Sequence, residues 1–179
     1  MDYQDIHFNP NHDLIERIDH EVDNAFIEAS LNEVPKMATE QNRKDLRVVF
    51  TPLHGTSVTM VPPVLAAAGF EHVHIVQEQA TPDANFPTVS SPNPEEPQAL
   101  QMDMDQAREF GADLVIGTDP DCDRLGIAVR NNHGDLTLLN GNQAMVIKTY
   151  FLLDGLSEDQ KNKKSFIAST IVSTPMMRL

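Results

Sequence analysis

Read from the N-terminus, the first periodic signal is helical. Leu14, Ile15, Ile18, Val22, Ala25, Phe26 and Ala29 recur at intervals of mostly three and four, with Glu16, Arg17, Asp19 and Asp23 between them. That spacing lines one face of a helix. Asn9 and Pro10 predict its N-cap and first helical residue, and the helix should end before Pro35. The period then shortens. Residues 46–51 are a β-branched run that predicts a buried strand, followed by a turn at 52–57 and a helix over 61–68 stopped by Gly69. Residues 73–76 predict a second strand, and strand, helix, strand in succession implies a parallel crossover. Residues 77–92 hold Pro82, Pro87 and Pro92 and predict a long surface or site-lining loop. Asn93-Pro94-Glu95-Glu96 then has the pattern of a capped helix start, with Leu100, Met104, Ala107 and Phe110 as the buried face and Gly111 as the stop.

Residues 113–117 predict a third strand and 124–130 a fourth. The connection between them is too short for a parallel crossover, so the fourth strand should run antiparallel. The expectation is an α/β fold: a three-layer α/β/α sandwich with a mixed four-stranded sheet, complete over residues 1–131. Residues 132–179 predict an incomplete second α/β unit. It would have a short strand at 136–139, a helix from Gly141 and a basic linker at 161–164. A strand through 166–172 and a helix capped at 173–175 would follow.

Between the third and fourth strands stands Gly117-Thr118-Asp119-Pro120-Asp121-Cys122-Asp123-Arg124. In an extended chain, side chains two apart share a side, so Asp119, Asp121 and Asp123 should converge on one point. Adjacent carboxylates raise one another's pKa unless a cation offsets them, and oxygen ligands without histidine or thiolate favour Mg²⁺ or a similar ion. Arg124 is placed to hold an anion beside that ion. A calcium-binding EF-hand loop is excluded, since its sixth and twelfth positions would be Arg124 and Arg130, not glycine and glutamate. A phosphatase with Asp119 as nucleophile needs a downstream lysine and further carboxylates, and the domain offers no convincing set. The turn at 52–57, with His54, Gly55 and Ser57 before a helix, is a weaker candidate for lining an anion site.

Composition narrows the partners. With 13 basic against 27 acidic residues the formal charge is −14, which makes nucleic acid and anionic membrane surfaces poor partners. No apolar stretch approaches the roughly 20 residues that span a bilayer, and the polar N-terminus does not resemble a signal peptide. Cys122, the single cysteine, excludes an internal disulfide and fits a reducing compartment, so a cytoplasmic location is expected. A phosphorylated substrate suits so acidic a chain only where a metal or clustered basic groups dominate the site.

The acidic stretch resembles the metal loop of the α-D-phosphohexomutases, the phosphoglucomutase and phosphomannomutase superfamily. Thr51-Pro52-Leu53-His54-Gly55-Thr56-Ser57, Phe86-Pro87-Thr88-Val89 and Pro92-Asn93-Pro94-Glu95 resemble its phosphoglucomutase-like branch, and Thr137-Leu138-Leu139-Asn140-Gly141-Asn142-Gln143 is similar to the segment opening its third domain. The resemblance implies domain 2 of a four-domain, cytoplasmic isomerase over residues 1–131 and the start of domain 3 over 132–179. Mg²⁺ would be bound by Asp119, Asp121 and Asp123 together with a phosphoserine oxygen from domain 1. Arg124 would contact phosphate, with Asp123 and Arg124 at the bisphosphate formed from a hexose phosphate. The implied reaction interconverts hexose 1-phosphate and hexose 6-phosphate through a 1,6-bisphosphate, with glucose 1,6-bisphosphate as activator or intermediate. No phosphoserine loop of the family's type occurs in the chain: Ser91-Pro92-Asn93-Pro94 has proline where that loop has histidine. The chain alone, without its partner domains, is therefore expected to be inactive as a mutase. A phosphopentomutase of the same superfamily and a metal-binding interaction module without catalysis are the alternative readings.

Overall fold

The computed structural model describes residues 8–34 and 38–162. The elements expected from 163 onward lie outside the described residues. A five-stranded mixed sheet runs in the order β2 (His72–Ile75), β1 (Arg47–Thr51), β3 (Leu114–Thr118), β4 (Leu125–Arg130), β5 (Leu136–Leu139). β1 pairs in parallel with β2 and β3, whereas β4 is antiparallel to both β3 and β5. Val48, Val49 and Phe50 of β1 are fully buried. A central parallel strand is covered on both faces, which is why its apolar residues run without alternation.

Five strands replace the four expected, because Leu136–Leu139 joins the first sheet instead of opening a second unit. The reason is the rule that already reversed β4: a connection of a few residues returns as a hairpin. Asn131 builds that turn, its side-chain oxygen accepting the amides of His133 and Asp135, and Gly134 takes a left-handed φ of 89°. Leu138 packs against both buried clusters of the sheet, the one around Val49, Val115 and Ala128 and the one around Leu53, Ala99 and Leu100.

Among the described residues are seven helices or helical turns of four residues or more, six of them α-helices. α1 is Asp19–Glu33, α2 Glu40–Asp45, α3 Val61–Ala67, α4 Gln101–Phe110, α5 Gly141–Asp154 and α6 Glu158–Lys161. α3 and α5 begin at or beside the predicted positions, the latter through a capping box between Asn140 and Gln143. α2 and α6 carry no apolar stripe and were not predicted. α1 starts nine residues later than Pro10 suggests, Asn11 instead capping a short 3-10 turn at His12–Leu14. The apolar face expected to be buried is exposed at Leu14, Ile18, Val22 and Phe26. α4 starts at Gln101, not at Asn93. Pro97 has no amide to return to the carbonyl four residues back, so 93–100 folds as turns in which Asn93 and Glu96 carbonyls accept the Glu96 and Ala99 amides. Those turns press on β4: a Cβ at Gly126 would lie 2.1 Å from the Pro94 carbonyl oxygen. Gly111 ends α4 in the left-handed conformation at φ 68°.

One member of the α4 stripe is polar. Asp103 is fully buried, and neither carboxyl oxygen has a hydrogen-bond partner. Burial pushes its pKa from the ordinary 3.8 up to about 7; its own backbone amide and the Thr51 hydroxyl, close by but outside bonding geometry, oppose this, and Glu78 adds slightly to it. Among the described residues no helix is long and apolar enough to cross a membrane.

Candidate metal centre in the β3–β4 loop

β3 ends at Thr118 and β4 begins at Leu125, the two residues being paired in the sheet. The loop between them is not extended. Cys122 donates its amide to the Asp119 carbonyl at 3.0 Å and takes a left-handed φ of 63°, which closes a tight turn over 119–122. The carboxylates converge all the same: one oxygen from each of Asp119, Asp121 and Asp123 falls within 4.8 Å of the others. The expected meeting of the three side chains is present, and a turn produces it in place of alternation along a strand.

The three differ in surroundings. Asp119 is fully buried, whereas Asp121 and Asp123 are exposed. Asp119 Oδ1 accepts the amides of Asp123 (3.0 Å) and Arg124 (2.9 Å), and Oδ2 accepts Arg124 Nε (2.7 Å). Burial opposes the charge on Asp119, but the Arg124 amide and guanidinium with the Asp123 side chain outweigh it and hold the pKa below the usual carboxylate range. Asp123 goes the other way, raised by its hydrogen bonding to Asp119 and by repulsion from Asp121 and Asp119. Arg124 Nε also lies 3.5 Å from Asp123 Oδ1, so one guanidinium serves two of the carboxylates while staying half exposed. With one bond made, Asp119 Oδ2 keeps a lone pair for a cation.

The donor set is oxygen alone. Cys122 sits between two of the aspartates and is exposed, but partial desolvation and the Asp119 charge raise its thiol pKa, which disfavours a thiolate ligand. Three carboxylates, two open to solvent, fit a hard divalent ion that keeps several waters, as Mg²⁺ does.

His54, Gly55 and Ser57 lie behind this loop, on the β1–α3 connection. Ser57 Oγ and Thr118 Oγ1 share a hydrogen bond of 2.6 Å, both side chains buried. A Cβ on Gly55 would lie 2.4 Å from Pro120 Cα, so only glycine permits the approach. His54 faces another way: Nδ1 donates to the Thr81 carbonyl (3.2 Å) and Nε2 is bonded to the Thr88 hydroxyl (2.9 Å). Its two ring nitrogens are thus engaged with the 77–92 loop, not with an anion beside the aspartates. Sequence reasoning missed Thr56 and Thr118. Thr118 had a usable signal, a hydroxyl at the last position of a buried strand immediately before the acidic residues.

Residues 24–134, well over half of the chain, match the family model described as phosphoglucomutase/phosphomannomutase, alpha/beta/alpha domain II. Phosphoglucomutases of Staphylococcus aureus strains USA300 and N315 are 50% identical to it over 101 residues, which is 56% of this chain. The chain spans 18% of the length of each. Among solved structures, a phosphoglucomutase/phosphomannomutase family protein from Burkholderia thailandensis shares the fold with a TM-score of 0.58 at 20% identity, over 74% of this chain and 26% of that one. A protein titled putative phosphomannomutase from Thermus thermophilus does so at 0.57 and 19%, over 73% of this chain and 28% of its own. A mixed sheet with the acidic loop at its parallel-to-antiparallel junction is thus the second domain of a known architecture, and the chain belongs to the phosphoglucomutase/phosphomannomutase family.

Proposed function

We propose that this chain is the metal-binding domain of a hexose phosphate mutase, the whole enzyme interconverting hexose 1-phosphate and hexose 6-phosphate. The observation that carries the proposal is the convergence of Asp119, Asp121 and Asp123 within 4.8 Å in a family domain. Mg²⁺ held there would neutralise charge on a phosphoryl group in transfer. Asp119, fixed by three hydrogen bonds, sets the position of the site, and Asp121 and Asp123 complete its negative face. Arg124 has a half-exposed guanidinium with only Nε committed to carboxylates, so its remaining N–H groups are suited to a substrate phosphate. The phosphoserine and most of the sugar contacts would come from other domains of the enzyme, with Asp123 and Arg124 at the bisphosphate. The pairing of β5 with β4 supports a junction with the next domain after Leu139 instead of at 131.

Calorimetric titration of Mg²⁺ into the full chain tests the site. Weak binding is expected, since the phosphoserine oxygen is supplied from elsewhere, and Asp121→Ala should abolish it. Asp121 is exposed, so its removal leaves the fold intact. Equal binding by both proteins, or none by the unaltered chain, would remove the basis of the proposal.

A further inference from the structure

The acidic loop has a problem that its own residues do not solve. Three carboxylates brought within 4.8 Å repel one another, and Asp121 and Asp123 are solvent-exposed. Internal bonds fix Asp119 and, through its amide, Asp123. The backbone carrying Asp121 needs another anchor.

It has one in the β1–α3 connection. The Pro120 carbonyl accepts two hydrogen bonds from one residue, the Thr56 amide at 2.9 Å and the Thr56 hydroxyl at 3.1 Å. That carbonyl belongs to the peptide plane joining Pro120 to Asp121, so Thr56 sets the orientation of the plane from which Asp121 departs. Gly55 lies flush against the Pro120 backbone. On the other side of Asp119, the Thr118 hydroxyl is bonded to buried Ser57. The two residues flanking Asp119 are therefore both gripped by the consecutive residues 55–57.

The gripping segment is itself held. Leu53 and His54 both adopt left-handed backbone, at φ 45° and 60°, without being glycine. Such a pair persists only where surrounding bonds enforce it. They are present: the Leu53 amide donates to Thr51 Oγ1, the His54 amide to the Gln79 carbonyl, and the His54 ring bridges Thr81 and Thr88. Thr51 in turn donates to Gln79.

We infer that Thr56, Ser57 and Thr118 are positioning residues for the metal centre, a clamp that reaches the cation only through the loop it orients. The inference rests on the metal reading of the acidic loop and adds to it a role for residues that offer no ligand. Mn²⁺ binding to the full 179-residue chain, followed by electron paramagnetic resonance, tests it. Thr118→Val keeps the branched shape and loses the hydroxyl; its dissociation constant should rise about tenfold, the scale of a lost supporting bond behind a metal ligand. Thr118→Ser restores the hydroxyl and should return to within about twofold of the unaltered chain. Ser57→Ala should match Thr118→Val, and combining the two should weaken binding no further, since either change removes the same bond. Val49→Ala, a sheet-core change away from the clamp, is the control: thermal stability should fall while Mn²⁺ affinity holds.

Full affinity in Thr118→Val would overturn the clamp alone and leave the metal site standing. Equal weakening in Val49→Ala would overturn it too, by showing that any loss of stability suffices. Absence of Mn²⁺ binding by the unaltered chain would overturn the metal reading, and the clamp with it.

Discussion

Asp103→Asn removes a charge from a place where nothing receives it. The side chain is fully buried with both oxygens unpaired, and its pKa stands at about 7 against 3.8 in an ordinary setting. Between those values the folded protein binds a proton that the unfolded chain releases. Stability contributed by the neutral acid is therefore fully present below 3.8 and is lost as the pH rises through 7. At about 1.4 kcal/mol per pH unit, the whole effect is about 4 kcal/mol. A net charge near zero promotes association and precipitation, so the practical range is set above the isoelectric region, at about pH 5.5 to 8.5, across which the same linkage gives about 2 kcal/mol. Asparagine has nearly the same shape and no charge, so any cost of its amide is constant with pH. Urea unfolding followed by circular dichroism, in parallel on both proteins, isolates the Asp103 contribution because every other titrating group is shared. The stability difference should shift in favour of Asp103→Asn by about 2 kcal/mol from about pH 5.5 to 8.5. A difference that stays constant within about 0.5 kcal/mol would show that Asp103 ionises normally in the folded state, and would refute its burial as an isolated acid.

Two further outcomes follow from local geometry. Gly126→Ala places a methyl group against the Pro94 carbonyl, where 2.1 Å is available, and should destabilise the chain by about 2–3 kcal/mol; an unchanged thermal midpoint would mean that the 93–95 turn yields freely. Cys122→Gly relieves the left-handed backbone at φ 63° without touching a carboxylate, so Mn²⁺ affinity should stay within about twofold and the thermal midpoint should not fall, whereas lost affinity would make the thiol more than a spacer.

Much of the sheet is legible in the sequence because its strands are short apolar runs separated by turn residues. The reversal of β4 follows from connection length alone. The fifth strand is misplaced for want of the same test: Leu136–Leu139 reads as a new beginning although Asn131 and Gly134 mark a hairpin. The α4 boundary slips because the capping pattern at Asn93 outweighs Pro97, whose missing amide interrupts the first helical turn. The α1 stripe has good period and little burial, since periodicity states which residues could face a partner and not that a partner is present. At the site, the three aspartates are visible as a spacing. The clamp is not, because Ser57 and Thr118 are 61 residues apart and a hydroxyl carries no pattern of its own. Asp103 is within reach: it sits three residues after Leu100 and four before Ala107, on the stripe read as buried.

The loop between β3 and β4 has a consequence for how the site is assembled in time. All three carboxylates belong to one hairpin turn, so bringing them together requires closure of a very short loop, among the least expensive steps in chain entropy. The supports arrive by another route. Ser57 and Thr56 reach the loop only after β1 and β3 have paired in parallel across more than sixty residues, a contact of high sequence separation that forms slowly. An early hairpin would thus hold its acidic residues in loose array, and the geometry would sharpen late, with the closing of the parallel sheet. Local chemistry and global topology are divided between carboxylates and support, and damage to the topology would reach the acidic loop as a loss of definition well before any carboxylate is removed.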